Sequence, residues 1–209
     1  ENMMAASYGF QGYVLNLAAR APVESVRRLL LMNAFEELGD IEYPGRSHFQ
    51  MVCDLSRLIG VPEQYIGNGK PRLLPTSVKH VETHLAQCRE TGAPFLHGLG
   101  MVFLIENLTR LEFQRVLVAF INWWEKGTGR PLSEFALGNG VAYFTANIEA
   151  DDGHAEDVAE MIETTLHDVH GINVTNEAAL AGPLAEIAAG MDESITLRMG
   201  FVQGCFVQV

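Results

Sequence analysis

The sequence contains few basic residues. Lys and Arg together number 14, against 26 Asp and Glu, which gives a formal net charge of -12 at pH 7 and a pI of about 4.9. Nucleic acids and anionic membrane surfaces are bound through a basic field, which this composition does not supply. We therefore expect neither of these partners, and we expect a small molecule as the ligand instead.

Cysteine and long apolar runs are also scarce. The three cysteines, Cys53, Cys88 and Cys205, lie far apart and form no CxxC pair, a pattern typical of a reducing compartment rather than of a disulfide framework. The sequence contains no signal peptide, no lipidation motif and no apolar run long enough to span a bilayer. We therefore expect a cytoplasmic protein without membrane contact. Because the chain begins at Glu1 without an initiator Met, we expect further residues beyond its termini.

Strand patterns are scarce as well, whereas apolar residues recur with the period of about 3.6 that is typical of helices. One predicted helix begins with Pro22 and ends at Gly39, and the next has Ser47 as its N-cap. Residues 93–124 are apolar on nearly every side, which places this helix in the middle of a bundle. Further helices are predicted at 77–92, 131–170 and 176–209.

The length and composition suit one domain. The 209 residues, of which 48% are hydrophobic, are sufficient for one sizeable core. No internal repeat and no linker divides the chain. The prediction is a single all-α domain over residues 1–209, arranged as a bundle of seven helices.

Glu106 is a carboxylate within the apolar run MVFLIENL. Burying an ionised carboxylate in such a helix is costly unless the group is paired or bound to a metal. The position therefore predicts a partner. Two interpretations stay open: a metal ligand, or a residue that faces a groove and meets water or Arg110 one turn further on.

A second candidate site spans two predicted helices. Glu37 ends the first helix, and His48 begins the next after a loop that contains glycine and can turn the chain back. Glu36 is the neighbouring competitor for the role of Glu37. Taken alone, His48 is more often an ordinary partly buried histidine than a ligand.

The third candidate site lies in the stretch NIEADDGHAEDVAEMIE, residues 147–163, which holds seven carboxylates and the single histidine His154. Helical spacing places Asn147, Asp151 and His154 on one stripe together with Tyr143. A carboxylate and an imidazole at i and i+3 can reach the same ion, and helices of bundles supply di-iron sites in this way. The stripe therefore predicts metal ligands.

The remaining acids of this stretch predict a solvated face, as clustered charges usually do. They are Glu149, Asp152, Glu156, Asp157 and Glu160, of which Glu149 and Asp152 stay open as substitute ligands.

A substrate pocket is expected beside the stripe. Gly140 lies seven residues before Asn147, so its missing side chain would leave room near the metal, although a kink or close helix packing is the alternative for Gly140 and Gly138. Tyr143 and Phe103 are aromatic candidates for the pocket wall.

His80 and His84 form a weaker candidate. Their i, i+4 spacing in KHVETH could bind zinc, but no third ligand has suitable spacing. We therefore predict that both histidines lie on a solvent-exposed face.

These segments, taken in order, resemble the heme-oxygenase-like di-iron oxidases and oxygenases, and the resemblance covers most of the chain. The family has a Glu at a helix end, a His after a short loop, a Glu in the central helix, and then His-x3-Asp-x2-His. Asn147 stands where the family has the first His of the last motif, and an amide is a poorer ligand for Fe(II) than an imidazole. The other positions match in EELGD (Glu37), SHFQMV (His48), FLIENLT (Glu106) and NIEADDGH (Asp151 and His154).

The resemblance implies a non-heme di-iron enzyme that activates O2 reductively. Its substrate would be a small amine, an amino acid or an acyl compound in specialised metabolism, and its reaction would be N-oxygenation, C–H oxidation or C–C cleavage. Two Fe(II) ions per chain are implied, the second bound weakly because of Asn147, with O2 as the co-substrate. We expect a homodimer. The implied catalytic ligands are Glu37, His48, Glu106, Asp151 and His154.

Other functions share this scaffold, and a fold alone does not choose among them. A thiaminase-like hydrolase needs a nucleophilic Cys beside a carboxylate. A heme oxygenase needs a proximal His near the start of the chain, whereas the first histidine in this sequence is His48. A metal-poor pseudo-enzyme or small-molecule binding protein, which has lost one iron through Asn147, is the remaining alternative.

Overall fold

The computed structural model describes residues 2–39, 46–66, 74–89 and 93–206, with the backbone alone at 2, 149–152 and 204–206. These residues form nine α-helices and no strand. A π-helical turn, Trp124–Thr128, continues the sixth helix. The helices are α1 Asn2–Arg20, α2 Glu24–Leu38, α3 His48–Leu58, α4 Glu63–Ile66, α5 Pro75–Arg89, α6 Phe95–Trp123, α7 Leu132–Leu137, α8 Ala142–Asp168 and α9 Glu177–Phe206.

The all-helical class is confirmed, but the predicted count of seven helices is too low for the described part of the chain. α4 forms inside a stretch rich in Gly and Pro that predicts a loop, and the predicted helix 131–170 is divided into α7 and α8. The division occurs at Asn139, whose φ of 60° lies in the left-handed region. A residue in this conformation cannot continue a right-handed helix, so the helix is interrupted between Leu137 and Ala142.

Local sequence signals determine where α2 ends and α3 begins. Gly39 caps α2 in the left-handed conformation, with φ 86°, which glycine adopts without steric cost. Ser47 caps α3 through a capping box. The backbone of Arg46 lies directly against Gly39. The end of α2, which carries Glu37, therefore lies beside the start of α3, which carries His48.

α6 is the central helix, and it packs mainly against α8 and α9. Two apolar clusters flank its middle: one includes Val102 and Ile105, and the other includes Phe113 and Phe144. Glu106 therefore lies on α6 between the two clusters. Although α6 is largely apolar, no helix among the described residues has an apolar stretch long enough to cross a membrane.

Glycine allows α6 and α9 to approach each other closely. A Cβ atom at Gly190 of α9 would overlap the backbone carbonyl of His97, and one at Gly100 of α6 would overlap the carbonyl of Ile187. Backbone atoms cannot move aside as a flexible side chain can. The two helices could not keep this separation with larger residues at Gly100 or Gly190.

The substitution Gly190→Ala is expected to lower the free energy of unfolding by about 1 to 3 kcal/mol, the usual cost of overpacking. Gly200→Ala in the same helix is the control, because nothing lies within 4 Å of the added methyl group. There, alanine is expected to raise stability by about 0.5 to 1 kcal/mol through its better helix propensity. Urea unfolding of the three proteins measures both effects, and equal stability of the two variants would contradict the close crossing.

Candidate metal centre

Glu37 and His48 form a buried pair where α2 and α3 meet. Glu37 Oε1 lies 3.0 Å from His48 Nδ1, and the two residues are 5% and 4% exposed. Burial opposes protonation of the imidazole, but the charge and hydrogen bond of Glu37 outweigh this effect and raise the pKa of His48. The structure thus brings together two residues that are eleven positions apart in the sequence.

Glu106 is 2% exposed and has two polar partners. Asn33 of α2 donates a hydrogen bond from Nδ2 to Glu106 Oε1 over 2.8 Å. His154 Nδ1 lies 3.5 Å from the same oxygen, a separation at which the attraction is mainly electrostatic. The carboxylate predicted to need a partner therefore lies against an amide and an imidazole.

His154 also contacts a second carboxylate. Its Nε2 lies 2.5 Å from Glu36 Oε2. Burial opposes protonation of His154, but its contacts with Glu106 and Glu36 outweigh burial and raise its pKa. The hydrogen bond to His154 in turn lowers the pKa of Glu36. The cluster thus combines three carboxylates with two imidazoles that favour the charged form.

The predicted stripe on α8 lies on a buried face where the structure describes it. Tyr143, Asn147 and His154 are 1%, 7% and 3% exposed, as their helical spacing predicts. Asn147 donates a hydrogen bond from Nδ2 to the carbonyl of Tyr143 over 2.6 Å. The side chain of Asp151 lies outside the described residues.

The acidic face of α8 is partly confirmed. Glu156 and Glu160 are exposed and Asp157 is half-buried. The side chains of Glu149 and Asp152 lie outside the described residues, so the structure does not test either as a substitute ligand.

Two further residues belong to this cluster. Asn33 was missed, and Glu36 was considered only as a competitor of Glu37. A sequence signal for Asn33 exists: it follows the apolar run LLLM and lies one helical turn before Glu37. A polar residue in such a position has the same need for a partner as Glu106.

A cavity of about 220 Å³ opens beside the cluster. Tyr143 lines it, and its hydroxyl lies 2.7 Å from Ser7 Oγ. Among the residues that the structure describes, those that line it are Met3, Ala6, Ser7, Phe10, Tyr13, Glu37, His80, Ile105, Glu106, Thr109, Glu112, Phe113, Val116, Tyr143, Asn147, Arg198, Phe201 and Val202.

Gly140 and Phe103, both expected in the pocket, lie elsewhere. Gly140 sits in the turn before α8, where an added Cβ would overlap the side chains of Phe135 and Leu58. Close packing, the alternative interpretation, explains this glycine. Phe103 is half-buried and packs against the apolar cluster that contains Ile105.

The predicted exposure of His80 and His84 is wrong. The two residues are 2% and 0% exposed, because this face of α5 packs against α1 and α9. His84 Nδ1 lies 2.8 Å from the carbonyl of His80 and therefore donates to it. Its Nε2 consequently accepts a hydrogen bond from Ser194 Oγ over 3.0 Å. Burial lowers the pKa of His80 to about 3 and of His84 to about 4, so both rings are neutral near pH 7.

The donor set of the cluster fits an iron ion in its chemistry. Carboxylates and imidazoles are ligands that iron accepts, and His154 Nδ1 and Asn33 Oδ1 are buried without a hydrogen-bond partner. Among the described residues, no three His, Cys, Asp or Glu side chains already converge as a metal site, and the acids and imidazoles of the cluster pair with each other. Ligation requires deprotonated imidazoles, so metal binding would replace these ion pairs.

Comparison with known proteins adds a family to this geometry. No curated protein is significantly similar to the chain. A family model described as an iron-containing redox enzyme matches residues 1–190, a range that includes Glu37, His48, Glu106 and His154. This all-helical chain therefore belongs to a family of iron-containing redox enzymes.

Proposed function

We propose that the protein is a non-heme di-iron oxidase or oxygenase that activates O2 and oxidises a small amine, an amino acid or an acyl compound. The observation that carries this proposal is the buried cluster of Glu37, His48, Glu106 and His154, with the half-buried Glu36 against His154. Glu37 and Glu106 also line a cavity with largely apolar walls. A substrate in this cavity would lie against the donors that hold the metal.

Each residue has a distinct part in the proposed centre. Glu37, His48, Glu106, Asp151 and His154 would hold the two ions, which supply reductive activation of O2 when bound. Three other residues would position these groups: Asn33, which donates to Glu106, Asn147 on the cavity wall, and Ser7, which fixes the ring of Tyr143. Apolar walls exclude water, which strengthens electrostatic interactions at the centre.

Anaerobic loading with Fe(II), followed by mixing with O2, tests the proposal. We expect two irons per chain and an O2 uptake that increases with one member of a panel of amines, amino acids and fatty acids. Failure to bind iron under any condition would contradict the proposal and favour a binding protein on the same scaffold.

The cysteines argue against a thiaminase-like hydrolase. Cys53 and Cys88 are buried, and burial raises the pKa of both thiols, that of Cys88 to about 12. A nucleophilic cysteine requires a lowered pKa and access to substrate. Neither residue lines the cavity, and the side chain of Cys205 lies outside the described residues.

Asn147→His is expected to strengthen binding of the second iron by about 1 to 3 kcal/mol, by analogy with a hydrogen bond to a charged group. An imidazole is a better ligand for Fe(II) than an amide. The matched control is Asn122→His, because Asn122 also donates to the carbonyl four residues earlier but is exposed. Iron titration of the three proteins decides the matter. If Asn147→His and Asn122→His bind iron alike, Asn147 does not face the metal.

A further inference from the structure

One polar end of the cavity is formed by Glu37 and Glu106. A second polar end is formed by Glu112 of α6 and Arg198 of α9. Arg198 Nε lies 3.0 and 2.9 Å from the two carboxylate oxygens of Glu112, and Nη2 makes a further contact with Oε2. Nη1 makes no hydrogen bond within the described part of the structure. Glu112 lies six residues beyond Glu106, which corresponds to about 9 Å along a helix axis. The ion pair and the candidate metal centre are thus separate regions of one cavity.

Two residues that line the cavity, Tyr13 and His80, each carry a buried polar atom without a partner. Tyr13 Oη and His80 Nδ1 make no hydrogen bond, although the residues are only 1% and 2% exposed. The Tyr13 hydroxyl lies against Gly9, where any added Cβ would overlap it. A buried polar group without a hydrogen bond lowers the stability of the fold, so a ligand that pairs with either atom would gain a hydrogen bond that the protein does not supply.

The two atoms differ in hydrogen-bonding role. Burial raises the pKa of Tyr13, so its hydroxyl keeps its proton and can donate. His80 is neutral and forms a hydrogen bond with the backbone of Leu197. Because Nδ1 is the nitrogen without a partner, Nε2 donates to the helix carbonyl and Nδ1 remains an acceptor. The site offers one donor and one acceptor beside an ion pair.

We propose that this end of the cavity binds the zwitterionic head group of an α-amino acid, a substrate class that rests on the proposed function. Glu112 already balances the charge of Arg198, so a free carboxylate meets no net positive charge and a free amine meets no net negative charge. A head group with both charges matches both partners. Its carboxylate accepts from Arg198 Nη1 and Tyr13 Oη, and its ammonium group donates to Glu112 and His80 Nδ1.

The walls between the two ends determine the side chain that fits. Phe10, Ile105, Phe113 and Phe201 line this part of the cavity, and they favour an apolar group. With the head group near Glu112, a side chain must extend about 9 Å, the axial separation on α6, to reach the candidate metal centre. The substrate class is therefore an α-amino acid with a long apolar side chain.

Calorimetric titration of the metal-free protein with three matched compounds tests this proposal. They are 2-aminooctanoate, octanoate, which lacks the amine, and heptylamine, which lacks the carboxylate. We expect 2-aminooctanoate to bind at least about tenfold more tightly than the other two, because only it satisfies donor and acceptor together. Equal or tighter binding of octanoate or heptylamine would overturn the proposal, as would no binding of 2-aminooctanoate.

Tyr13→Phe separates recognition from folding. Since the hydroxyl has no partner in the protein, we expect unchanged or higher thermal stability but roughly 3- to 10-fold weaker binding of 2-aminooctanoate. Glu112→Gln leaves the charge of Arg198 uncompensated. The affinity for octanoate is therefore expected to rise relative to the affinity for 2-aminooctanoate. Glu134→Gln is the control, because its partner Arg130 forms an exposed ion pair. Wild-type affinity and selectivity in both Tyr13→Phe and Glu112→Gln would overturn the assignment.

The same proteins are loaded with Fe(II) in a separate experiment. Absence of amino-acid selectivity in the wild-type protein, with normal iron content and O2 uptake, would overturn the head-group site alone. Normal selectivity without iron binding would overturn the proposed oxidase function and leave the head-group site intact.

Discussion

The variant Glu106→Gln is expected to lose iron binding and O2 consumption together. Glutamine keeps the shape of the side chain but removes the charge from a position that is 2% exposed. His154 then loses one of its two carboxylate partners, and the proposed metal centre loses the ligand that the central helix would supply. Both losses act on the same centre, so we expect less than one iron per chain and no substrate-dependent O2 uptake.

Three measurements make this result specific. Iron content and O2 uptake report function, and circular dichroism reports whether the helices are retained. The matched control is Glu160→Gln on α8, an exposed acid that lies on the solvated face. Normal iron content and turnover in Glu106→Gln would remove this residue from the centre.

Glu37→Gln is expected to reduce iron binding much more than Glu36→Gln does. Glu37 is 5% exposed, lines the cavity and contacts His48. The Glu36 side chain is 31% exposed and contacts His154. This position suits a residue that orients the ligand His154 rather than one that binds the metal itself. Loss of such an orienting partner typically costs about 10- to 100-fold in metal affinity, whereas loss of a ligand removes the site.

Iron stoichiometry and affinity of the two variants distinguish these roles. We expect Glu36→Gln to bind two irons with weaker affinity and Glu37→Gln to bind at most one. The opposite result would identify Glu36 as the ligand, so that the family pattern would match this chain one residue earlier.

Local sequence signals were sufficient to locate the helix ends that bear on the site. Gly39 and Ser47 act as predicted, because a left-handed glycine and a capping serine depend on only a few neighbouring residues. The burial of Glu106 could also be predicted, since its neighbours along α6 are apolar on nearly every side. The break between α7 and α8 was missed, because Asn139 adopts the left-handed conformation, which asparagine takes only occasionally and which its presence alone does not predict.

The sequence by itself thus determined an all-helical protein, the end of α2, the start of α3, and which residues share a helix face. Only the tertiary structure decided which faces meet. Periodicity gives the rotation of a residue about its own axis, but not the neighbouring helix, which depends on packing between distant segments. His84 meets Ser194 across 110 positions and Glu36 meets His154 across 118. For that reason the burial of His80 and His84, the partners of Glu106 and the pairing of Glu112 with Arg198 became visible only in the folded chain.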